Sequence, residues 1–156
     1  MEQRINPMAN ELGATVAKYV ISANKVITDS ALPNTVQELV NIRASQINGC
    51  GGCLDMHTKD LAAAGESTVR INLVGAWRET TVYTEAERAA LELTEQGTRL
   101  ADSSGVTDQA WANAAKHFDE DQLMALVAQI CLINAFNRLN VITRTPGGDY
   151  QPGQYA

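Results

Sequence analysis

Four residues in this chain have the types and spacing to do chemistry together: Glu38, Cys50, Cys53 and His57. The cysteines form a Cys-Gly-Gly-Cys motif, and His57 follows the second of them by four positions. A helix turns by about 100° per residue, which puts Cys50 and Cys53 roughly 60° apart and Cys53 and His57 roughly 40° apart. All three therefore share one helix face. Residues three and four apart are neighbours on that surface, so the two sulfurs lie within disulfide reach and His57 sits one turn below Cys53. The thiolate is the reactive form of cysteine. It is favoured by the free N–H groups of a helix N-terminus and by an imidazole able to take the proton. Cys50 is nearer the helix start and Cys53 nearer His57, so helix geometry alone leaves open which sulfur attacks. Glu38 precedes the motif on another helix. An antiparallel return through Asn48 and Gly49 would set it beside His57, giving the sequence of nucleophile, base and orienting carboxylate that activates a weak nucleophile.

A structural zinc site is the main competing reading, because Cys-x-x-Cys is half of many such sites. Against it, the chain has no second pair, and only Glu38 is placed to complete a ligand set. Other reactive residue types read as structural. Cys131 lies among apolar residues and is expected to be a small buried core residue. His117, near a helix C-terminus, is expected to make a favourable dipole contact. Trp77 and Trp111 fall in helical patterns and are expected to pack. Whether Arg43 reaches the thiols is left open.

The elements that must position these residues all read as helices. Leu12, Val16, Tyr19, Ala23 and Ile27 make one apolar face of a first helix from about Met8 to Thr28. Pro33 suits the first turn of a second, continued by Val36, Leu39, Val40 and Ile47 and stopped by Asn48 and Gly49. A third begins within the Cys-Gly-Gly-Cys turn, carries Leu54 and Leu61 inward and ends at Gly65. A fourth spans Ser67 to Trp77, with Val69, Leu73 and Trp77 on one side. Thr84 with Glu87 makes a capping box for a fifth, running to about Leu100. Thr107 to Phe118 is a sixth. Asp119 with Gln122 caps a long apolar helix ending near Arg144, followed by a Pro- and Gly-rich tail from about residue 145. No stretch alternates as a strand does, so the fold class is all-α with about seven helices.

The 156 residues suit a single domain. A formal net charge of −6 and a sequence pI near 4.8 argue against nucleic acid or anionic membrane as a partner, since both need clustered Lys and Arg. The first residues, MEQRINPMANELG, lack the basic start and apolar stretch of a secretory signal, which points to the cytoplasm. The most apolar run, Leu123 to Phe136, is interrupted by Gln129 and Asn134. It falls short of the ~20 residues of a membrane span and reads as a buried core helix. Three cysteines, only two of them close together, do not make a disulfide scaffold. In a reducing compartment a lone Cys-x-x-Cys is more often catalytic or metal-binding.

The stretch ELVNIRASQINGCGGCLDMHTKDLAAAGES resembles the alkyl hydroperoxidase D-like (AhpD-like) family, within the carboxymuconolactone decarboxylase superfamily. The family pattern is a Glu twelve positions before the first Cys, then Cys-x-x-Cys, then a His four positions after the second Cys. Glu38, Cys50, Cys53 and His57 match it, and the stretches from Glu85 and from Leu132 look like the family's later helices. The resemblance implies an AhpD-like helical bundle, usually a homo-oligomer such as a trimer or hexamer. It also implies a thiol-dependent peroxidase that reduces hydroperoxides without flavin, haem or metal. By the same resemblance Cys53 is the attacking thiol, His57 and Glu38 remove its proton through a bridging water, and Cys50 resolves the sulfenic acid. An external dithiol or protein thiol then reduces the disulfide. One departure stands out. The best-known members carry a second His immediately before the second Cys, where this chain has Gly52, which shortens the proton relay. A disulfide-exchange partner or sensor without significant peroxidase activity is the alternative. The decarboxylase branch generally lacks the redox pair, which disfavours its activity.

Overall fold

The computed structural model describes residues 2–154, and within them every regular element is helical, with no strand. Seven α-helices follow in order: α1 Glu11–Thr28, α2 Asn34–Asn48, α3 Gly51–Ala63, α4 Thr68–Leu73, α5 Glu85–Thr98, α6 Asp108–Ala115 and α7 Glu120–Thr143. A 3-10 segment, Val74–Glu79, continues directly from α4. Both expected capping boxes are present. Thr84 and Glu87 open α5, and Asp119 and Gln122 open α7, each pair satisfying two backbone N–H groups that the helix itself cannot.

The centre of the fold is α2, which packs chiefly on α7, α5 and α3. Val36, Leu39, Val40, Ile42 and Ala44 are buried on it, but so are Gln37, Asn41 and Ser45. A helix enclosed on several sides has no solvent face for its polar residues, so each must find a partner inside. The Gln37 amide donates to the carbonyls of Ile27 and Leu32, Asn41 accepts from Gln129 of α7, and Ser45 accepts from Asn137 of α7. Asn48, at the end of α2, donates to both Asn134 and Asn137 at 2.9 Å. At 24 residues, α7 has the bounds expected from its Asp119 cap and its end near Arg144, and as a whole, unlike its most apolar run Leu123–Phe136, it is long and apolar enough by length and composition to cross a membrane. In this fold it lies against α1, α2, α3, α5 and α6 and turns Gln129, Asn134 and Asn137 into the core, with Met124, Val141 and Ile142 outward.

Four expectations are corrected. On α1 the stripe Leu12, Val16, Tyr19 and Ala23 faces outward, Leu12 being 73% and Tyr19 70% exposed. Only Ala17 and Ile27 are buried, because the neighbouring stripe looks onto α7. The fourth helix is split, and Ile71, Val74 and Trp77 are buried while Val69 is exposed. Spacing of three is what tighter 3-10 winding brings onto one face. Trp111 is exposed, because α6 seats itself through Ala110 and Ala114, one position off the Trp. Cys131 is also exposed. The inward line of α7 runs through Leu123, Leu126, Ile130, Ile133 and Asn137, one step away from it.

One buried charge ties α2, α5 and the 3-10 segment together. Glu95 receives Arg43 and Arg78, with Arg43 at 2.7 Å, and the Trp77 indole N–H at 2.9 Å. Burial alone would raise the Glu95 carboxyl, but Arg78, Trp77 and Arg43 together hold it below the ordinary range. Removing one partner of a buried pair leaves the other charge uncompensated and costs about 3–5 kcal/mol. Glu95→Gln is therefore expected to lose stability on that order in urea unfolding at pH 7. Because the folded value lies below the unfolded one of about 4.3, the wild-type contribution is full above that pH and fades as pH falls through the folded value. The difference between wild type and Glu95→Gln should shrink on acidification below about pH 4.3, measured by the same unfolding curves.

Candidate functional site

The reversal that builds the site takes a single residue. Gly49 ends α2 in the left-handed conformation, φ 68° and ψ 30°, and its N–H returns to the Ser45 carbonyl, as does that of Cys50 at 3.0 Å. Cys50 then serves as N-cap of α3, its sulfur accepting the Cys53 backbone N–H at 3.3 Å. The two cysteines are joined in a disulfide, with Cα atoms 5.4 Å apart. Their side chains pack with Ala44 of α2 and Ile133 of α7, and both residues are nearly sealed, Cys50 being 1% and Cys53 3% exposed.

The antiparallel return expected from the Asn48–Gly49 turn is present. Nδ1 of His57 lies 2.8 Å from Oε2 of Glu38, both side chains being mostly buried. An ionised carboxylate only accepts, so this contact places the imidazole proton on Nδ1 and leaves the lone pair of Nε2 free to take another. Glu38 is itself held. Its other oxygen accepts from Asn41, Asn41 accepts from Gln129, and Gln129 donates onward to Asn24 of α1. The pair thus rests on a polar chain crossing α2, α7 and α1.

A fifth residue, missed in the sequence, touches the cysteine pair. Nδ2 of Asn140, on α7, donates to Sγ of Cys53 at 3.4 Å. A hydrogen bond to sulfur favours its charged form. The signal was the row of amides, Asn134, Asn137 and Asn140, recurring every three residues in a mainly apolar helix. Arg43 is committed to Glu95 and Gln46. His117 is exposed and lines an open groove with Trp77, Arg78 and Arg88, to which none of the four expected site residues contributes. Among the described residues no group of three or more His, Cys, Asp or Glu is arranged to hold a metal ion.

The Pro- and Gly-rich segment after α7 returns to the motif. The Thr145 N–H bonds the carbonyl of Asn140, and the chain then crosses the first turn of α3. Asp55 accepts the N–H groups of Gly148 at 2.6 Å and Tyr150 at 3.1 Å, while Lys59 donates to the carbonyls of the same two residues. The Tyr150 hydroxyl donates to Asp60. The Lys59 ammonium, with the Gly148 and Tyr150 N–H groups, holds the Asp55 carboxyl below its usual value against the opposing effect of burial. The contact is backbone on backbone. A Cβ on Gly147 would stand 2.5 Å from the Gly51 carbonyl oxygen, and one on Gly52 3.4 Å from that of Pro146. The close approach is thus at position 147, while a Cβ at position 52 would only touch the tail at ordinary contact distance.

An all-helical chain with a buried Cys-x-x-Cys disulfide beside a His–carboxylate pair defines a helical dithiol protein. The model of the carboxymuconolactone decarboxylase family matches residues 14–96, a span that includes Glu38 and the motif. The uncharacterized protein YdfG of Bacillus subtilis (strain 168) is 38% identical over 141 residues, covering 90% of this chain and 94% of that one. Among solved structures, ATU0492 of Agrobacterium tumefaciens, a protein of unknown function suggested to be an antioxidant defence protein AhpD, superposes with TM-score 0.88. It shares 34% identity over 96% of this chain and all of that one. An uncharacterized peroxidase-related protein from Ralstonia eutropha JMP134, described as an alkylhydroperoxidase AhpD core, shares the fold, at TM-score 0.73 and 15% identity over 85% of this chain and 70% of that one. The chain belongs to the carboxymuconolactone decarboxylase family, and its fold is AhpD-like.

Gly49 isolates the cost of the reversal, since nothing lies within 4 Å of a Cβ built there and only the positive φ opposes one. Gly49→Ala is expected to lose about 1–2 kcal/mol in denaturant unfolding, with the circular dichroism spectrum unchanged.

Proposed function

We propose that this protein is a cysteine-based oxidoreductase that reduces hydroperoxides, and that Glu38, Cys50, Cys53 and His57 are its catalytic residues. The observation that carries the reading is the Cys50–Cys53 disulfide closed beside the His57–Glu38 pair. In the reduced protein Nε2 of His57 takes the Cys53 proton, directly or through a water, while Glu38 steadies the imidazolium. The Cys53 thiolate attacks the hydroperoxide. The O–O bond breaks, one oxygen stays on sulfur as sulfenic acid, and the alkoxide leaves as alcohol after taking the proton. Cys50 then attacks the Cys53 sulfur, an S–S bond forms and water departs. One hydroperoxide becomes alcohol and water, and two thiols become a disulfide, which an external dithiol or protein thiol must reduce. Asn140 supports the same assignment of the attacking sulfur, because its amide donates to Cys53.

The proposed chemistry uses protein thiols alone, and such thiols cycle readily in a cytoplasmic setting. Gly52 favours keeping a second reading, in which the same disulfide exchanges with a partner protein and peroxide is not the main oxidant. A turnover assay with cumene hydroperoxide and dithiothreitol separates the two. Wild type is expected to consume peroxide, Cys53→Ser to lose at least 100-fold, and Cys50→Ser to accumulate a sulfenic acid on Cys53 visible by intact mass. Equal consumption by wild type and Cys53→Ser removes the peroxidase reading.

We further propose that the chain self-associates through α1. A helix of 18 residues that buries only Ala17 and Ile27 gains little from its own chain, yet it presents Leu12, Val16, Tyr19 and Val26 to solvent. A second copy covering that face removes the exposure. Light scattering on a sizing column should show an oligomer for wild type and a lower mass for Tyr19→Glu. A monomeric wild type would exclude the assembly.

A further inference from the structure

We propose that the segment Thr145–Tyr150 is the specificity-determining element of the thiol centre, admitting small thiols and oxidants while excluding folded dithiol proteins until it lifts. The inference rests on the redox reading above and names the class of reductant it serves. Two sulfurs at 1% and 3% exposure are walled on one side by Ala44, Ile133 and Asn140. The turn that carries them is itself crossed by the tail, whose Gly147 lies against the Gly51 carbonyl. Disulfide exchange requires a donor thiolate to reach one sulfur. The Cys50–Cys53 bond breaks, its electron pair stays on the other sulfur, which takes up a proton, and a mixed disulfide forms with the donor. The second donor thiolate then attacks that bond and frees the first sulfur, leaving the donor oxidised and the protein with two thiols.

A small dithiol needs only a narrow opening for this sequence. A folded Cys-x-x-Cys protein must lay its own active-site surface across the first turn of α3, which is where the tail already lies. What holds the tail is specific and local: Asp55 on the Gly148 and Tyr150 N–H groups, Lys59 on their carbonyls, and Asp60 on the Tyr150 hydroxyl. All three are on α3, the helix that carries Cys53 and His57, so the tail is fastened to the element it covers.

The variants follow from the contacts. Gly147→Ala cannot keep the tail seated, because its Cβ would stand 2.5 Å from Gly51 O, and Asp55→Ala removes the main anchor without adding bulk. The experiment measures reduction of the preformed disulfide in the full-length oxidised protein, by stopped-flow tryptophan fluorescence and by mass after thiol trapping. Dithiothreitol and reduced thioredoxin serve as the two donors. Both variants are expected to speed reduction by thioredoxin at least tenfold and reduction by dithiothreitol less than threefold. Equal rates with thioredoxin in wild type and both variants would overturn the proposal. So would equal acceleration with both donors, which marks a general opening with no selection by size. If Gly147→Ala loses its helical circular dichroism, Asp55→Ala alone carries the test. Failure of the peroxidase reading appears elsewhere, as peroxide consumption independent of Cys53, and leaves these exchange rates unaffected.

Discussion

The left-handed turn at Gly49 is the constraint on which the thiol centre depends. It reverses the chain within one residue, so that the end of α2 becomes the start of α3 and Glu38 comes to lie beside His57. Each residue added to or removed from α2 would rotate Glu38 by about 100° relative to α3 and break the 2.8 Å contact. The turn also makes Cys50 an N-cap, giving its sulfur a backbone N–H, while Cys53 takes its donor from Asn140. The two sulfurs therefore draw on different sources of stabilisation, one from the helix start and one from another helix.

Holding α2 at that rotation falls to a polar interior. Asn41, Ser45 and Asn48 all pair with amides of α7, and each buried amide must be satisfied at one alignment of the two helices and no other. Apolar contacts tolerate sliding, whereas a hydrogen bond broken in the core leaves an unpaired group costing about 1–3 kcal/mol. The amides thus fix the position of α2 against α7 more sharply than the leucines around them. Gln129 serves both purposes, since the same side chain supports Glu38 through Asn41.

Much of this was legible in the sequence. The caps of α5 and α7, the stop at Gly49 and the sharing of one side by Cys53 and His57 are local, set by residues within one or two turns of each other. The face of α1 was not, because periodicity tells which residues share a side and not which side has a neighbour. Leu12, Val16 and Tyr19 do form one stripe, but it points outward. Trp111 and Cys131 failed for the same reason, each one step off the line that packs. Asn140 and the tail escaped because their contacts with the motif join residues some 90 positions apart. The tail's composition says only that it is no helix.

The depth of the cysteines in the fold bears on how the protein is made. Synthesis delivers a chain from its N-terminus, and Cys50 and Cys53 leave the ribosome about 80 residues before Ile133, which packs on them. The Asn140 amide and the covering tail come later still. For that interval the sulfurs have no wall on the α7 side. A nascent chain is therefore more open to premature oxidation and to adducts with other thiols than the finished molecule, and the arrival of α7 closes that window.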